Sequence, residues 1–487
     1  MANNNKVLLV KPRFRQSHYD AIGGPQQGLG YISEALSTSG IENRVLDMDL
    51  DYDHNRLVRE IEEYGCRWIG LSLWTYRYRD VYALISDLKH QFPEKKIVVG
   101  GPHVSTFCEK VLEDCPDIDF GVVCEGEQTI VELCKGSYPF PEIKGLLFRD
   151  GQGGVHFSGH RPFNQDIDHI AFPRYQKFEL DKYGKIISIV TSRGCPYKCI
   201  FCPISNTIGR PYRYRNAQSV GDEFEYWYKR GYRDFTISDD NFTLIKDRVY
   251  TICDELDKRQ LRGINISLRN GIRADRVDRV LLKRMKEVGF AYIAFGVEGG
   301  NDRILKNLRK GETLADMERA IKDACELGFM VALFFLLGSP GETEQDVQDS
   351  LKLALKYPVY DVRFYNLIPF PGTELFDWVK KNNYFLMDPE KYVNDLLSDV
   401  SHWENEPIFE TPEMSREKRK ELFLKANQIA KWHTLPIKRK FHRVTVAKKF
   451  ERFGLSGKPA LLLADMYFSK SFQKGKHALS CIKDMMG

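Results

Sequence analysis

Three cysteines lie close together near the middle of the chain, at Cys195, Cys199 and Cys202. They follow the pattern C-x3-C-x2-C on a segment that also contains Gly194 and Pro196. Three thiolates this close together need a metal ion or an iron-sulfur cluster to balance their charge. Structural zinc prefers four ligands, usually in two separated pairs, and no fourth Cys or His follows at a suitable spacing. The pattern therefore predicts a 4Fe-4S cluster with three protein ligands and one iron open for chemistry.

The other cysteines are scattered singly through the chain. The total of eleven is odd, which argues against a disulfide framework. We expect buried or unreactive thiols at Cys66, Cys108, Cys115, Cys124, Cys134, Cys253, Cys325 and Cys481.

The elements that position the cysteine motif form an alternating series of strands and helices. Strands are predicted at 186–191, 234–238, 264–268, 291–297, 330–336 and 361–367. Six β-α units are too many for a small open sheet and too few for an eight-unit barrel, so we predict a partial barrel over 186–385. Functional loops follow the strands of such a barrel, and the cysteine motif follows the first strand.

The first 135 residues contain another alternating series, with strands predicted at 6–12, 43–49, 68–73, 96–101 and 120–125. Their continuous apolar runs are typical of a doubly wound α/β domain whose ligand crevice lies at the carboxyl ends of the strands. Residues 136–185 are predicted to be a connecting region with little core and a hairpin tip at 151–154. Residues 386–487 are predicted to be mainly helical.

Composition indicates a folded, globular chain, with 43% hydrophobic and 29% charged residues. No run of apolar residues is long enough for a membrane-spanning helix, and the N-terminus lacks the pattern of a secretory signal. We therefore expect the protein in the cytoplasm.

The C-terminal segment is strongly basic, because residues 436–487 contain 12 Lys plus Arg against 3 Asp plus Glu, whereas the whole chain has a net charge of only +5. Basic and aromatic residues mix at 439–453 and 461–472. These segments are predicted either to pack on the barrel as a helical cap or to lie on a membrane surface.

The cysteine motif, with the aromatic Phe201 before its last cysteine, resembles the defining motif of the radical S-adenosylmethionine (SAM) superfamily. The resemblance implies that SAM binds the open iron and is cleaved there to a 5'-deoxyadenosyl radical. Other loops are similar to the SAM-binding segments of that superfamily. The residues concerned are Asp239, Asp240 and Asn241 after the second strand, Arg269 and Arg273 after the third, Glu298 after the fourth, and Gly338 after the fifth.

A doubly wound domain ahead of such a barrel resembles the cobalamin-binding, class B methyltransferase-like subclass. The resemblance implies cobalamin contacts after the third, fourth and fifth strands. These residues are Ser72, Trp74 and Thr75, then Gly100, Gly101 and His103, then Glu125 and Gly126. The loop 13–24 contains His18 but lacks the D-x-H-x-x-G pattern of many cobalamin domains, so we expect cobalt without a histidine lower ligand. A Rossmann-like domain without cobalamin is the alternative.

These resemblances imply an enzyme that methylates an unactivated carbon or phosphorus centre of a small molecule or lipid, with electrons supplied by a donor such as flavodoxin or ferredoxin. A first alternative is a non-methylating relative, either a tetrapyrrole cyclase or an enzyme forming carbon-carbon bonds on hopanoids or other lipids. A second alternative is an RNA-modifying or nucleic-acid-binding protein, for which the basic tail and the segment 210–215 would contact phosphates. We do not expect a nucleic-acid partner, because no separate RNA-binding module is present.

Overall fold

The structure is a computed structural model that describes residues 5–13, 24–50, 52–389, 392 and 406–451 of the 487-residue chain. In the last helix, side chains are described as far as Phe441. The predicted segment 461–472 and His18 lie outside these ranges. Within them, no helix combines the length and the apolar character needed to cross a membrane.

The first sheet has seven strands in the order β2-β1-β3-β4-β5-β6-β7, and β1 to β5 are parallel. The strands are β1 (Val7–Lys11), β2 (Asn43–Asp47), β3 (Trp68–Ser72), β4 (Lys96–Gly100), β5 (Phe120–Val122), β6 (Leu146–Arg149) and β7 (Val155–Phe157). The helices are α1 (Gln27–Thr38), α2 (His54–Tyr64), α3 (Tyr78–Gln91), α4 (Pro102–Phe107), α5 (Glu109–Asp114) and α6 (Glu127–Lys135). Buried runs such as residues 7–10 fit a sheet covered on both faces, which confirms the doubly wound domain.

The hairpin β6–β7 extends this sheet beyond the predicted boundary at residue 135. Its strands are antiparallel, and its turn lies at the predicted hairpin tip, 151–154. Leu146 and Leu147 are completely buried, so this part of the segment contributes to the core although little core was predicted there. The short apolar run was hidden among Gly, Pro and polar residues.

The second sheet has six parallel strands in the order β15-β14-β13-β12-β11-β8, which confirms the partial barrel. The strands from here on are β8 (Ile186–Ile189), β9 (Ser192–Arg193), β10 (Arg213–Tyr214), β11 (Asp234–Ile237), β12 (Asn265–Ile272), β13 (Phe290–Glu298), β14 (Met330–Leu337) and β15 (Asp361–Asn366). The helices are α7 (Ile204–Thr207), α8 (Ala217–Lys229), α9 (Lys246–Lys258), α10 (Arg279–Glu287), α11 (Asp302–Asn307), α12 (Leu314–Glu326), α13 (Glu344–Lys356), α14 (Glu374–Lys381) and α15 (Arg416–Glu451).

The two faces of the second sheet have different surroundings. On the outer face, Ile293, Phe295 and Leu333 are fully buried in the main core. On the inner face, the register pairs Ala294 with Ala332. These two small side chains lie between the larger pairs formed by Tyr292 with Met330 and by Phe334 with Gly296.

Helix α15 covers the free edge of β15. The Asn427 side chain accepts a hydrogen bond from the backbone N–H of Phe364 and donates one to its carbonyl, both at 3.0 Å. These bonds replace the pairing that a further strand would give, and an edge strand without such cover would expose unpaired backbone groups. The part of the C-terminal region that the structure describes is therefore a helical cap on the barrel.

The two sheets meet at the carboxyl ends of β5 and β8. Arg193, just after β8, forms ion pairs with Glu125 at 3.0 Å and with Glu127 at 2.6 Å. Arg213 in β10 reaches Glu125 at 2.8 Å. The loops predicted to bind the two cofactors are therefore neighbours.

Candidate active site

The three motif cysteines share one loop at the carboxyl end of the partial barrel. Cys195, Cys199 and Cys202 are free and partly exposed. The loop begins at Gly194, which has φ +90° and where a Cβ would collide with the carbonyl oxygen of Pro211. Glycine is therefore required here by both conformation and space. Phe201 packs against a hydrophobic cluster to which both domains contribute.

Basic residues hold the middle of the cysteine loop. The Arg273 guanidinium lies over the Tyr197 ring at 3.5 Å, and the Tyr197 hydroxyl accepts a hydrogen bond from Arg276 Nε at 2.8 Å. Arg273 also donates to the carbonyl oxygens of Lys310 at 2.6 Å and Gly311 at 2.9 Å. Its donors are thus engaged by the protein, and it positions the loop.

The thiols lie in a partly buried environment with positive charges on one side. Burial raises the pKa of Cys202 to about 11 and also raises that of Cys199, while Lys310 and Arg273 act on Cys199 in the opposite direction. In the part of the chain that the structure describes, no three His, Cys, Asp or Glu side chains converge to hold a single metal ion. Ligands of a cluster bind separate irons and need not converge in this way.

The three polar residues after β11 have different surroundings. Asp239 is buried and accepts hydrogen bonds from the backbone N–H of Thr191 at 2.6 Å and the hydroxyl of Ser192 at 2.6 Å, so it fixes the start of the cysteine loop. Asp240 accepts from the Gly194 N–H at 3.0 Å, and burial raises its pKa to about 6. Asn241 is buried with both amide atoms unpartnered. Its amide is therefore the group of the three that is available to a ligand.

Glu298 lies at the end of β13 with φ +65° and forms a buried ion pair that the sequence reasoning missed. The Lys310 Nζ is 3.1 Å from Glu298 and 3.5 Å from the buried Glu312. Arg273 approaches Glu312 at 3.6 Å. Lys310 and Glu312 belong to the segment Lys310-Gly311-Glu312. A buried Glu298 requires a nearby cation, and this requirement is the signal that would have pointed to Lys310.

Arg269 differs from its prediction in position, because β12 extends to Ile272 and Arg269 lies within the strand rather than after it. It lies in a bulge between Leu268 and Ile272, which lengthens the strand. Arg269 is exposed, and its guanidinium lies over the Tyr292 ring at 5.0 Å. Of the two predicted arginines, Arg269 is therefore the one that faces open space.

Gly338 follows β14 with φ +106° and packs against the buried Arg419 of α15. The Gly338 N–H donates to the Glu342 carboxylate at 2.5 Å, and burial raises the pKa of Glu342 to about 7. Arg419 is 1% exposed, lies over the Phe409 ring at 4.3 Å, and lowers the Glu342 pKa. The sequence did not indicate this contact between the C-terminal helix and the loop.

The loops after β3 and β4 carry exposed or unsatisfied groups. The Ser72 hydroxyl accepts a hydrogen bond from Gln26 Nε2 at 2.9 Å, which leaves the buried Gln26 Oε1 without a partner. Trp74, followed by Thr75, is 36% exposed. At Gly101 a Cβ would lie 2.7 Å from the Leu73 carbonyl oxygen. Gly100, beside it, is partly exposed at the end of β4.

His103 is buried among aromatic rings. It stacks on Tyr78 at 4.4 Å, and its Nε2 lies 3.2 Å from the Tyr82 hydroxyl. Burial lowers its pKa to about 3, so the ring is neutral, and its Nδ1 has no partner. The unpartnered Nδ1 and Gln26 Oε1 are polar atoms that a bound ligand would satisfy.

Glu125 and Gly126 occupy the junction of the two domains. Glu125 is engaged by Arg193 and Arg213, which makes it a link between the sheets. Gly126 is the N-cap residue of α6, and a Cβ there would lie 3.1 Å from Val122. In this structure both residues serve packing between elements.

Two family models match the chain. The Radical SAM superfamily matches residues 189–354, and the B12 binding domain matches residues 23–134. An uncharacterized methyltransferase of Pyrococcus horikoshii is 30% identical over 415 residues, which covers 83% of this chain and 90% of the relative. The chain belongs to the cobalamin-dependent radical SAM family.

Other members of this family act on different substrates. A cytidylyl-2-hydroxyethylphosphonate methyltransferase of Streptomyces wedmorensis is 26% identical and covers 83% of this chain and 88% of the relative. An anaerobic magnesium-protoporphyrin IX monomethyl ester cyclase of Cereibacter sphaeroides is 26% identical, over 80% of this chain and 65% of the relative. The radical SAM methyltransferase TsrM of Kitasatospora setae shares the fold, with a TM-score of 0.68 and 21% identity. The match covers 78% of this chain and 76% of TsrM.

As a member of this radical SAM family, the protein is an enzyme whose cofactors are a 4Fe-4S cluster, SAM and cobalamin. The residues present fit these groups. Three soft thiol donors share one loop, the Asn241 amide is buried without partners, and the first-domain loops contain the unsatisfied Gln26 and His103 atoms.

Proposed function

We propose that this enzyme transfers a methyl group to an unactivated carbon or phosphorus centre of a small molecule, with Cys195, Cys199 and Cys202 as the cluster ligands. The observation that carries the proposal is the junction of the two domains. There, Arg193, at the start of the cysteine loop, pairs with Glu125 and Glu127 at the carboxyl end of β5. A substrate between the two cofactor loops would be within reach of both.

When bound, the cluster and SAM supply a carbon-centred radical that removes a hydrogen atom, and cobalamin supplies the methyl group. The protein's part is to bind and orient. Arg273 and Arg276 hold the Tyr197 side of the cysteine loop, and Asp240 holds the Gly194 N–H. The Lys310 ammonium fixes the Glu298 carboxylate inside the barrel, where the resemblance to the superfamily implies a contact with SAM.

Incubation with methyl-labelled SAM tests the proposal on enzyme reconstituted with iron, sulfide and hydroxocobalamin. We expect labelled product when the enzyme is incubated with an extract of small metabolites. The reconstituted enzyme should contain about four irons and one cobalt per chain. The Cys199→Ala variant should lose both the cluster and SAM cleavage. Cys325→Ala is the matched control, because this partly exposed cysteine lies outside the motif. Retained SAM cleavage by a Cys199→Ala enzyme would refute the ligand assignment.

A second candidate is the non-methylating ring closure named for the Cereibacter relative. The label distinguishes the two, since a cyclase should release the methyl group of SAM in methionine and incorporate none in its product. Product without label, together with normal cofactor content, would favour the cyclase.

The nucleic-acid alternative loses two of the arginines of segment 210–215 on which it partly rested. Arg213 and Arg215 are both 3% exposed and pair with Glu125 and Glu223. They cannot contact phosphates without breaking these pairs. A flavodoxin or ferredoxin donor, a cytoplasmic location and a peripheral membrane contact through the basic C-terminal region remain proposals, to be tested by reduction assays, fractionation and vesicle binding.

A further inference from the structure

Two arginines extend from the inner face of the partial barrel. In a parallel sheet, side chains paired in register point to the same face. Arg269 lies in the bulged part of β12, and the position of its guanidinium over the Tyr292 ring, at 5.0 Å, places it on the inner face, where Tyr292 clusters with Ala294. Phe334 pairs with both Gly296 and Arg363, which places Arg363 on this face from β15. Both arginines are exposed.

The two guanidinium groups belong to the face of the sheet that also carries Tyr292. Arg269 lies over the Tyr292 ring at 5.0 Å, and the strand register places Arg363 on the same face as this ring. Arg363 Nε is 2.9 Å from Asp361, and Asp361 is also 2.5 Å from Lys438 Nζ of α15. One carboxylate is therefore shared by two cations, and Arg269 has no carboxylate within ion-pair distance in the described structure. Arg269, Arg363 and Lys438 thus give three positive charges against one described carboxylate, Asp361.

Aromatic rings lie beside these charges. Phe334 and Tyr365 meet edge to face with centroids 5.9 Å apart, and Tyr292 lies in the same inner-face cluster as Ala294 and Ala332. The inner face therefore has exposed guanidinium donors beside the partly exposed rings of Phe334 and Tyr365.

We propose that the substrate is an organic anion, bound on this inner face by its carboxylate or phosphate-type group to Arg269 and Arg363, with its apolar part against Phe334 and Tyr365. The inference rests on the proposed function, because it assigns a substrate class to the same barrel. Arginine matches carboxylates and phosphates through parallel N–H donors, and such charge-assisted bonds are stronger than neutral ones. The principal competing occupant is the carboxylate of SAM itself.

Equilibrium dialysis with three naphthalene probes tests the proposal on the reconstituted enzyme. The probes are 2-naphthoate, 2-naphthyl phosphate and the neutral 2-naphthamide. We expect at least one anionic probe to bind about tenfold more tightly than the amide. The better of the two anions distinguishes a carboxylate substrate from a phosphate one.

The variants Arg269→Gln and Arg363→Gln should each reduce that preference about tenfold, whereas Arg363→Lys should retain part of it. Arg319→Gln is the matched control, because Arg319 is a half-exposed arginine paired with Asp316 outside the barrel, as Arg363 is paired with Asp361 inside it. SAM affinity is measured on the same samples.

Equal binding of all three probes would overturn the inference, as would an anion preference that survives both glutamine variants. A tenfold loss of SAM affinity with an unchanged probe preference would also overturn it, since the arginines would then serve the SAM carboxylate. Cofactor content and SAM cleavage are read separately. Intact cofactors and cleavage with no anion preference therefore reject this inference while leaving the proposed function standing.

Discussion

Replacing Lys310 tests how much its buried ion pairs contribute to the stability of the barrel. It is 8% exposed, with its ammonium 3.1 Å from Glu298 and 3.5 Å from Glu312. Lys310→Met keeps the length of the side chain and removes the charge. Breaking a buried ion pair by removing one partner costs about 3–5 kcal/mol, because a buried carboxylate is left without a counter-ion. Arg273 still compensates the charge of Glu312, so Glu298 is the carboxylate that loses its counter-ion. We expect the free energy of unfolding to fall by about 3 kcal/mol.

Urea denaturation followed by tryptophan fluorescence measures the change in the free energy of unfolding, with iron content and SAM affinity determined alongside. The matched control is Lys356→Met, because Lys356 is 52% exposed and pairs with Glu318 at 2.6 Å on the surface. A surface pair of this kind contributes about 0–1 kcal/mol. We therefore expect the Lys310 variant to lose clearly more stability than the control.

A second substitution checks the cause. Adding Glu298→Gln to the Lys310→Met enzyme removes the orphaned charge and should recover part of the lost stability. The reasoning is refuted if Lys310→Met costs no more than the surface control. It is also refuted if the double variant is less stable than Lys310→Met alone, because Glu298 would then not be the source of the cost.

Three further changes follow from the geometry. Gly194→Ala should lower the iron content of the reconstituted enzyme, because its Cβ would collide with Pro211, and normal iron content would contradict this. Burial raises the Glu342 pKa from 4.5 to about 7, so its contribution to stability is full below about pH 4.5 and is lost as pH rises through about 7. Glu342→Gln should therefore gain stability relative to wild type between about pH 5 and about pH 8 in denaturation assays, and a constant difference would contradict the assignment. Asn427→Leu should cost about 1–3 kcal/mol of unfolding free energy by leaving the Phe364 backbone groups unpaired, and a loss no larger than a surface substitution would argue against edge capping.

Most of the architecture could be predicted from local patterns. Strand runs such as 96–101 and 330–336 fall within a residue or so of the observed Lys96–Gly100 and Met330–Leu337, because buried parallel strands are continuous apolar segments. The cysteine motif follows its strand as expected. Two strand ends were predicted less well, because the strand predicted at 120–125 ends at Val122 and a bulge near Arg269 extends the third barrel strand to Ile272.

The candidate site was predicted less completely. Asp239, Arg273 and Glu125 have the residue types of ligands, yet the protein uses their polar groups to hold its own loops and domains together. Lys310 and Arg419 were not identified, although both are buried at loops that the sequence indicated. Residue type shows what a side chain is able to bind and does not show which of several partners is nearest.

The sequence by itself determined the family, the three cysteines and the order of strands and helices, because these depend on spacing and periodicity along the chain. The tertiary structure decided which polar groups remain free. It brought Arg269 and Arg363, nearly one hundred residues apart, onto one inner face, and joined Glu125 to Arg193 across two domains. Those outcomes follow from sheet register and long-range packing, which no local pattern in the chain contains.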